Sequence, residues 1–354
     1  MATHCNYSGI ALLGPQLEPT QATIYCTDGI ITAIEEEKSI SPHWICPGLC
    51  NAHTHLADTL AMDVPRTGSL ESLVTPPHGL KHRILNASSE SELVRGMTSS
   101  LQTMSAAGIS SCIDFREGGE RGALQLAQAA ELHAQKNQHA CIPTILGRNG
   151  GEQLPQSHGA GISSTRDEPH YLEIADEMRR LGKLIAFHAG ERDSCDIDNA
   201  LSCDPDLLVH MTHVTPKQIR AVSDCQIPVC VCPRSNFILG VTESAKHPPI
   251  QQLLDANVPL SLGTDNVMFV QPDLLSELKV LDTVYHIDPV DALLMAVRGS
   301  FIHDSSPYIS VGNPANFFVV DPTRSNLQFS KDPISSIVRR ITASDIIDRY
   351  FPRK

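Results

Sequence analysis

Basic residues are scarce in this chain: 27 Lys and Arg stand against 40 Asp and Glu in 354 residues, a formal net charge of −13. General affinity for nucleic acid or an anionic membrane rests on clustered Lys and Arg, so neither is expected as a partner. No apolar run approaches the roughly 18 residues that a membrane span needs. Met1 to Ile10 lacks the basic region and apolar stretch of a secretory signal, and the expected location is cytoplasmic. There is no Cys-x-x-Cys pair, and the spacings Cys46/Cys50 and Cys230/Cys232 match no standard zinc knuckle. The 11 cysteines are an odd number without a framework, which reads as buried thiols in a reducing compartment. Internal repeats and low-complexity tracts are missing too. What is present is a composition of 41% apolar and 19% charged residues, which builds a sizeable core and is not that of a disordered chain.

The length exceeds what one ordinary core needs and fits either two modest domains or an α/β barrel of about 250 residues with an appendage. From Ser88 onward amphipathic stretches alternate with short apolar runs, the pattern of βα units around a parallel sheet. Strands are predicted over 49–55, 109–115, 139–147, 159–164, 184–190, 207–213, 227–233 and 259–265. Helices are predicted over 123–135, 171–181, 249–256, 273–284 and 289–298. The fold class expected is therefore α/β, a (β/α)8 TIM-like barrel over 48–306. Residues 1–47 and 307–354 look different: Ala22 to Ile34 and Asn316 to Asp321 are β-rich with turn residues such as Asp28-Gly29, and both ends are expected to pair into one small β domain. Between Met62 and Leu85 the residues Pro65, Gly68, Pro76, Pro77 and Gly79 break any helix, and the stretch reads as an irregular lid.

His53-Thr54-His55 closes the first strand, where alternate residues face one side, so both imidazoles can point into the barrel mouth. An isolated His-x-His is a weak signal. His188, His210 and Asp265 strengthen it, because each falls at the C-terminal end of another predicted strand, the face on which barrel active sites are built. Imidazole and carboxylate donors suit Zn²⁺ or Fe²⁺, whereas Mg²⁺ or Ca²⁺ prefers oxygen ligands.

Around these positions the sequence resembles the amidohydrolase superfamily, through Pro47-Gly48-Leu49-Cys50-Asn51-Ala52-His53-Thr54-His55-Leu56, Phe187-His188-Ala189-Gly190-Glu191, Val209-His210 and Leu262-Gly263-Thr264-Asp265-Asn266. It is most similar to the cytosine-deaminase-like and chlorohydrolase-like branch, in which Cys232-Pro233-Arg234-Ser235-Asn236 and Gly312 to Asp321 are also landmarks. The resemblance implies a distorted barrel with a small β-sandwich domain made from both termini. It implies that His53, His55, His188 and Asp265 bind one divalent transition metal, zinc ahead of iron. Binuclear members carry a lysine on the fourth strand; Gly159 to Thr165 has none, which favours a single metal. The catalytic residues implied are Asp265, which takes a proton from water, Glu191, which shuttles it, and His210, which polarises the carbon under attack or steadies the nucleophile. His213 is the rival to His210.

Arg116, Arg148 and Arg234 follow three predicted strands. Planar guanidinium groups recognise carboxylate or phosphate, so these three, with Asn236, are the expected substrate contacts, against the competing reading that they pair with rim acids such as Glu117 or Glu152. Lys81, His82 and Arg83 place further positive charge in the lid. The activity expected is hydrolytic deamination of a small N-heterocyclic or amidine-like compound, with an anionic group on it. The alternatives are hydrolysis of a cyclic amide or imidazolone and a non-catalytic scaffold, and the full set of six site residues argues against the scaffold. The partner is a small-molecule substrate, and homo-oligomer formation is left open.

Overall fold

A computed structural model describes residues 4–36, 41–65, 68–75, 78–299 and 306–351. The chain opens with β1 (His4–Leu13), β2 (Glu18–Thr27), β3 (Ile30–Glu36) and β4 (Trp44–Pro47). The Asp28-Gly29 turn joins β2 to β3 with both residues at positive φ, +50° and +82°, the backbone that matches the twist of a tight hairpin. Nine parallel strands follow: β5 (Leu49–His55), β6 (Ile109–Arg116), β7 (Ile142–Gly147), β8 (Gly159–Ile162), β9 (Leu184–Ala189), β10 (Leu207–His210), β11 (Val229–Val231), β12 (Leu260–Leu262) and β13 (Asp265–Asn266). Near the C-terminus β14 (Phe317–Val320) and β15 (Ile346–Tyr350) join the first four strands in one sheet of order β15-β14-β4-β1-β2-β3.

The parallel sheet is a TIM-like barrel in its pairing. Strands β5 to β12 lie side by side in chain order, and β13 returns to β5, with Asp265 opposite Thr54 and Asn266 opposite His55. The eighth strand predicted from sequence thus exists as two pieces that serve different neighbours. Gly263 between them makes the switch possible: a Cβ there would lie 2.7 Å from Cys230 Sγ and 2.9 Å from His53 Cβ. The two-residue alternation of the strands sorts the core. Ile185 and Phe187 of β9 face the helical layer with Leu208, Val229 and Val231. Ala186 instead packs with Ile113, Phe115, Val209 and Cys230 in the barrel interior. Full burial of a side chain such as Phe187 contributes about 1.5–3 kcal/mol.

Helices Glu90–Ala106, Gly119–Lys136, Tyr171–Leu181, Ile250–Asp255, Leu274–Thr283 and Pro289–Arg298 supply the outer layer, the last five close to the bounds that apolar spacing predicts. The helix at Glu90 begins with a reciprocal cap, Ser89 with Glu92. Helix Pro333–Arg339, in the C-terminal segment, also places Ile334, Ile337 and Val338 in the core shared with the barrel helices. The lid expectation needs correcting: Leu70–Val74 and Leu80–Ala87 are helices, because the prolines and glycines fall before and between them rather than within them. Eight of the eleven cysteines are buried and all are free thiols. No helix among the described residues is long and apolar enough to cross a membrane.

Candidate active site

The C-terminal ends of the parallel strands bring His53, His55, His188 and Asp265 together, with one donor atom of each within 4.8 Å of all the others and all four residues buried. The local sequence explains how. Asn51 donates to Thr264 Oγ1 at 2.8 Å and accepts from the Thr264 amide at 3.0 Å, which locks the end of the eighth strand against the first and delivers Asp265 beside the His-x-His pair. Asp265 has φ +59° and His210 φ +76°, left-handed backbone that costs non-glycine residues of order 1–3 kcal/mol and clusters at functional sites.

The donors are already oriented. His188 Nδ1 donates to the Ile162 carbonyl at 2.9 Å, which leaves Nε2 with its lone pair facing His55 Nε2 at 3.4 Å. His55 Nδ1 faces the Phe115 carbonyl at 3.1 Å and Glu117 Oε1 at 2.9 Å. Asp265 Oδ1 lies 3.1 Å from His53 Nε2 and 3.4 Å from His55 Nε2. Donors that share one ion at about 2.0–2.2 Å can stand no more than about 4.4 Å apart, so these separations fit one transition metal. The protonation states fit as well, since ligands must give up their protons. Burial pushes His53 down to about 3 against the pull of Asp265. Burial, with His53 and Arg148 nearby, holds His188 well below the usual histidine range. Burial alone would raise the Asp265 carboxyl, but the His53 hydrogen bond and the neighbouring imidazoles outweigh it and keep it far below the usual range. His55 is drawn upward, burial and Lys81 being outweighed by Glu117. A carbonyl can only accept, so the Phe115 contact assigns the proton to Nδ1 and leaves Nε2 to face the other donors.

Ser235, which sequence reasoning passed over, donates to Asp265 Oδ2 at 2.6 Å. Groups that orient a metal ligand are typically worth 10–100-fold in affinity or activity, so Ser235→Ala is expected to lower zinc affinity about 10-fold or more. Competition with a chromophoric chelator measures this, and unchanged affinity would show that Asp265 needs no such support.

Above the donors is a cavity of about 60 Å³ lined in part by His55, His188, Glu191, His210 and Asp265. Glu191 reaches it because Gly190 turns the chain at φ +69°, where a Cβ would meet Ile197 Cδ1 at 2.7 Å. Its carboxyl is raised by burial and by Asp265, with His210 opposing. Glu191 Oε1 is 3.9 Å from His210 Nε2. His213 is outside the cavity lining, its ring tilted against that of His247, whereas His210 lines the cavity.

The expectation that three arginines share the mouth needs correction, because only Arg148 lines the cavity. Arg116 is buried, donating to the Gly122 carbonyl at 3.0 Å and to Gln125 Oε1 at 3.2 Å. Arg234 is bound to Glu277 at 2.8 Å and to the carbonyls of Gln271 and Asp273. Asn236 donates to Thr212 Oγ1 at 3.0 Å in the buried core and is also absent from the lining. Arg166 and Arg192 line the cavity instead. They follow β8 and β9, and the same strand-end signal would have found them. Arg166 pairs with Asp193 and Arg192 with Asp167. From the lid segment come Leu70, Val74, Thr75 and Lys81.

A barrel mouth with three buried imidazoles and a carboxylate around an approachable cavity is the apparatus of a metal-dependent hydrolase. The chain belongs to the amidohydrolase family, whose sequence profile matches residues 44–343, and it is a hydrolase of carbon–nitrogen bonds. A protein of Methanothermobacter thermautotrophicus named "Putative aminohydrolase" is 32% identical over 96% of this chain and 95% of its own. A 5-methylthioadenosine/S-adenosylhomocysteine deaminase of Haloarcula marismortui is 24% identical over 96% and 89%. An imidazolonepropionase of Verminephrobacter eiseniae is 26% identical over 77% and 68%. The fold is shared with an adenosine deaminase from Xanthomonas campestris solved with bound zinc, at TM-score 0.76 and 16% identity over 98% and 91%.

Proposed function

We propose that this protein releases ammonia hydrolytically from a small N-heterocyclic or amidine-like substrate that carries a negative charge. The observation that carries this reading is Glu191, a carboxyl with a raised pKa on the same cavity as His210 and Asp265. His53, His55, His188 and Asp265 would hold the metal, zinc by analogy with the zinc-bound fold relative. A divalent metal supplies a water that is nucleophilic at neutral pH and a Lewis acid for the carbon under attack. Asp265, kept ionised by its histidine neighbours, accepts a proton from that water. Glu191 carries a proton to the ring nitrogen and then to the departing amine, and His210, stacked 5.4 Å from His188, orients the carbon being attacked. The terminal six-stranded sheet is, in this reading, the small β-sandwich domain built from 1–47 and 307–354, beside a catalytic barrel over 48–306.

Arg148 is the proposed anchor for the substrate's charge. Its guanidinium lies on the cavity, held by the Gly161 carbonyl at 2.5 Å and 3.7 Å from Glu117. Arg148→Met is expected to lower kcat/KM for an anionic substrate by about 10- to 100-fold, or about 1.4–2.7 kcal/mol, and to spare a neutral analogue. Equal loss for both would show that Arg148 only supports the barrel. The likeness to an imidazolonepropionase favours a second reading, opening of a cyclic amide ring. A screen of purines, pyrimidines and carboxylated heterocycles with coupled ammonia detection separates the two, since ring opening consumes substrate without ammonia.

A further inference from the structure

The lid helix Leu80–Ala87 carries a buried cation that the proposed chemistry does not use. Lys81 has a side chain only 3% exposed, and its Nζ lies 3.1 Å from Asp58 Oδ2 and 2.8 Å from Glu117 Oε1. Asp58 belongs to the turn that leaves β5, and Glu117 lies one residue beyond β6. The same Glu117 Oε1 is 2.9 Å from His55 Nδ1, the ring nitrogen opposite the one that faces His188. A single lysine that lines the cavity therefore bridges helix Leu80–Ala87 to the carboxylate beside Nδ1 of a member of the metal-donor set.

We propose that Lys81 is a positioning residue, a latch that holds helix Leu80–Ala87 on the Asp58–Glu117 pair and through Glu117 fixes the orientation of His55. The physical case has three steps. A metal-ligating histidine is held in its tautomer and ring orientation by the groups around its other N–H, here the Phe115 carbonyl at 3.1 Å and the Glu117 carboxylate at 2.9 Å, and loss of either is felt at the metal. Glu117 can serve only if its carboxylate stays in place, and the nearest charge that neutralises it is the Lys81 ammonium, with Arg148 at 3.7 Å and Arg116 at 3.9 Å farther away. A buried carboxylate without that partner is unfavourable and seeks water or another cation, so removal of Lys81 frees Glu117 to turn from His55. In the reverse direction, the two acids are what draws a lysine out of solvent, and they seat the helix that bears it. Seating of the cover and readiness of the donor set are then one event. This inference rests on the proposed function only in taking His55 as a metal ligand.

The test measures zinc affinity by chelator competition, hydrogen exchange of the helix 80–87 amides with and without zinc, and turnover, for Lys81→Met, Lys81→Arg and Glu117→Gln. Lys81→Met is expected to weaken zinc binding about 10- to 100-fold and to speed exchange of the helix amides in both states, with Lys81→Arg recovering part of each. Glu117→Gln is expected to weaken zinc binding similarly. Should Lys81→Met fail to fold, the double variant Asp58→Asn/Lys81→Met, which removes one buried acid with the base, carries the same expectation. Unchanged zinc affinity with a raised KM would overturn the latch and make Lys81 a substrate contact. Weakened zinc binding with unaltered helix exchange would also overturn it, since the cover would then not be part of the coupling. A wild-type protein that binds zinc but releases no ammonia would sink the deamination reading and leave this coupling standing.

Discussion

Glu191→Gln is expected to bind its metal as the wild type does and to lose turnover by about 100- to 10,000-fold. Glutamine matches the size of the side chain and its hydrogen-bonding reach, but it has no exchangeable carboxyl proton to deliver. The position is suited to that delivery. Burial and the Asp265 charge raise the Glu191 carboxyl against the opposing pull of His210, so it keeps its proton to higher pH than an ordinary glutamate. The carboxyl is separate from the four metal donors, which is why metal content and rate should part company in this variant. Metal analysis beside steady-state kinetics checks it, and near-normal kcat would remove Glu191 from the proton path.

His53→Ala and Asp265→Asn are expected to fail at the earlier step, losing the metal and with it all measurable turnover. His53→Ala takes away a donor atom and Asp265→Asn the negative charge of one, rather than a group that orients a donor, so the affinity loss should exceed the roughly 10–100-fold typical of orienting groups. Asparagine is preferred to alanine at position 265 because the backbone there is left-handed, φ +59°, which asparagine tolerates far better than most residues. Dialysis against a chelator followed by elemental analysis reads the outcome. Full retention of metal by either variant would mean that the ion sits elsewhere.

The contrast between these variants and the arginines shows what could be read from the sequence. The strand ends were legible because alternation and chain order fix them, so His53, His55, His188 and Asp265 could be placed at one mouth before any coordinates. What a long side chain does after leaving a strand end was not legible. Arg116 and Arg234 start near the rim, yet Gly122, Gln125 and Glu277 capture them, and those partners arrive from segments whose approach no local pattern encodes. Lys81 is the opposite case. Its charge was legible as part of the lid, but not its burial, which only the meeting of Asp58 and Glu117, 59 residues apart in the chain, makes possible. The lid's two helices were missed for a related reason: proline and glycine mark where helices end, and two short helices between such marks look like one broken stretch. The split of the last strand into β12 and β13 depends on contacts of Gly263 with β5 and β11, again a matter of tertiary approach.

The central claim is that one metal, held by these four residues, drives release of ammonia from the substrate. The most direct measurement is single-turnover assay of metal-stripped protein reloaded with increasing zinc, with ammonia and bound metal determined in the same samples. The account predicts that ammonia release rises in proportion to zinc and saturates at one ion per chain. Saturation at two ions per chain, or substrate hydrolysis that saturates at one ion without ammonia, would contradict it.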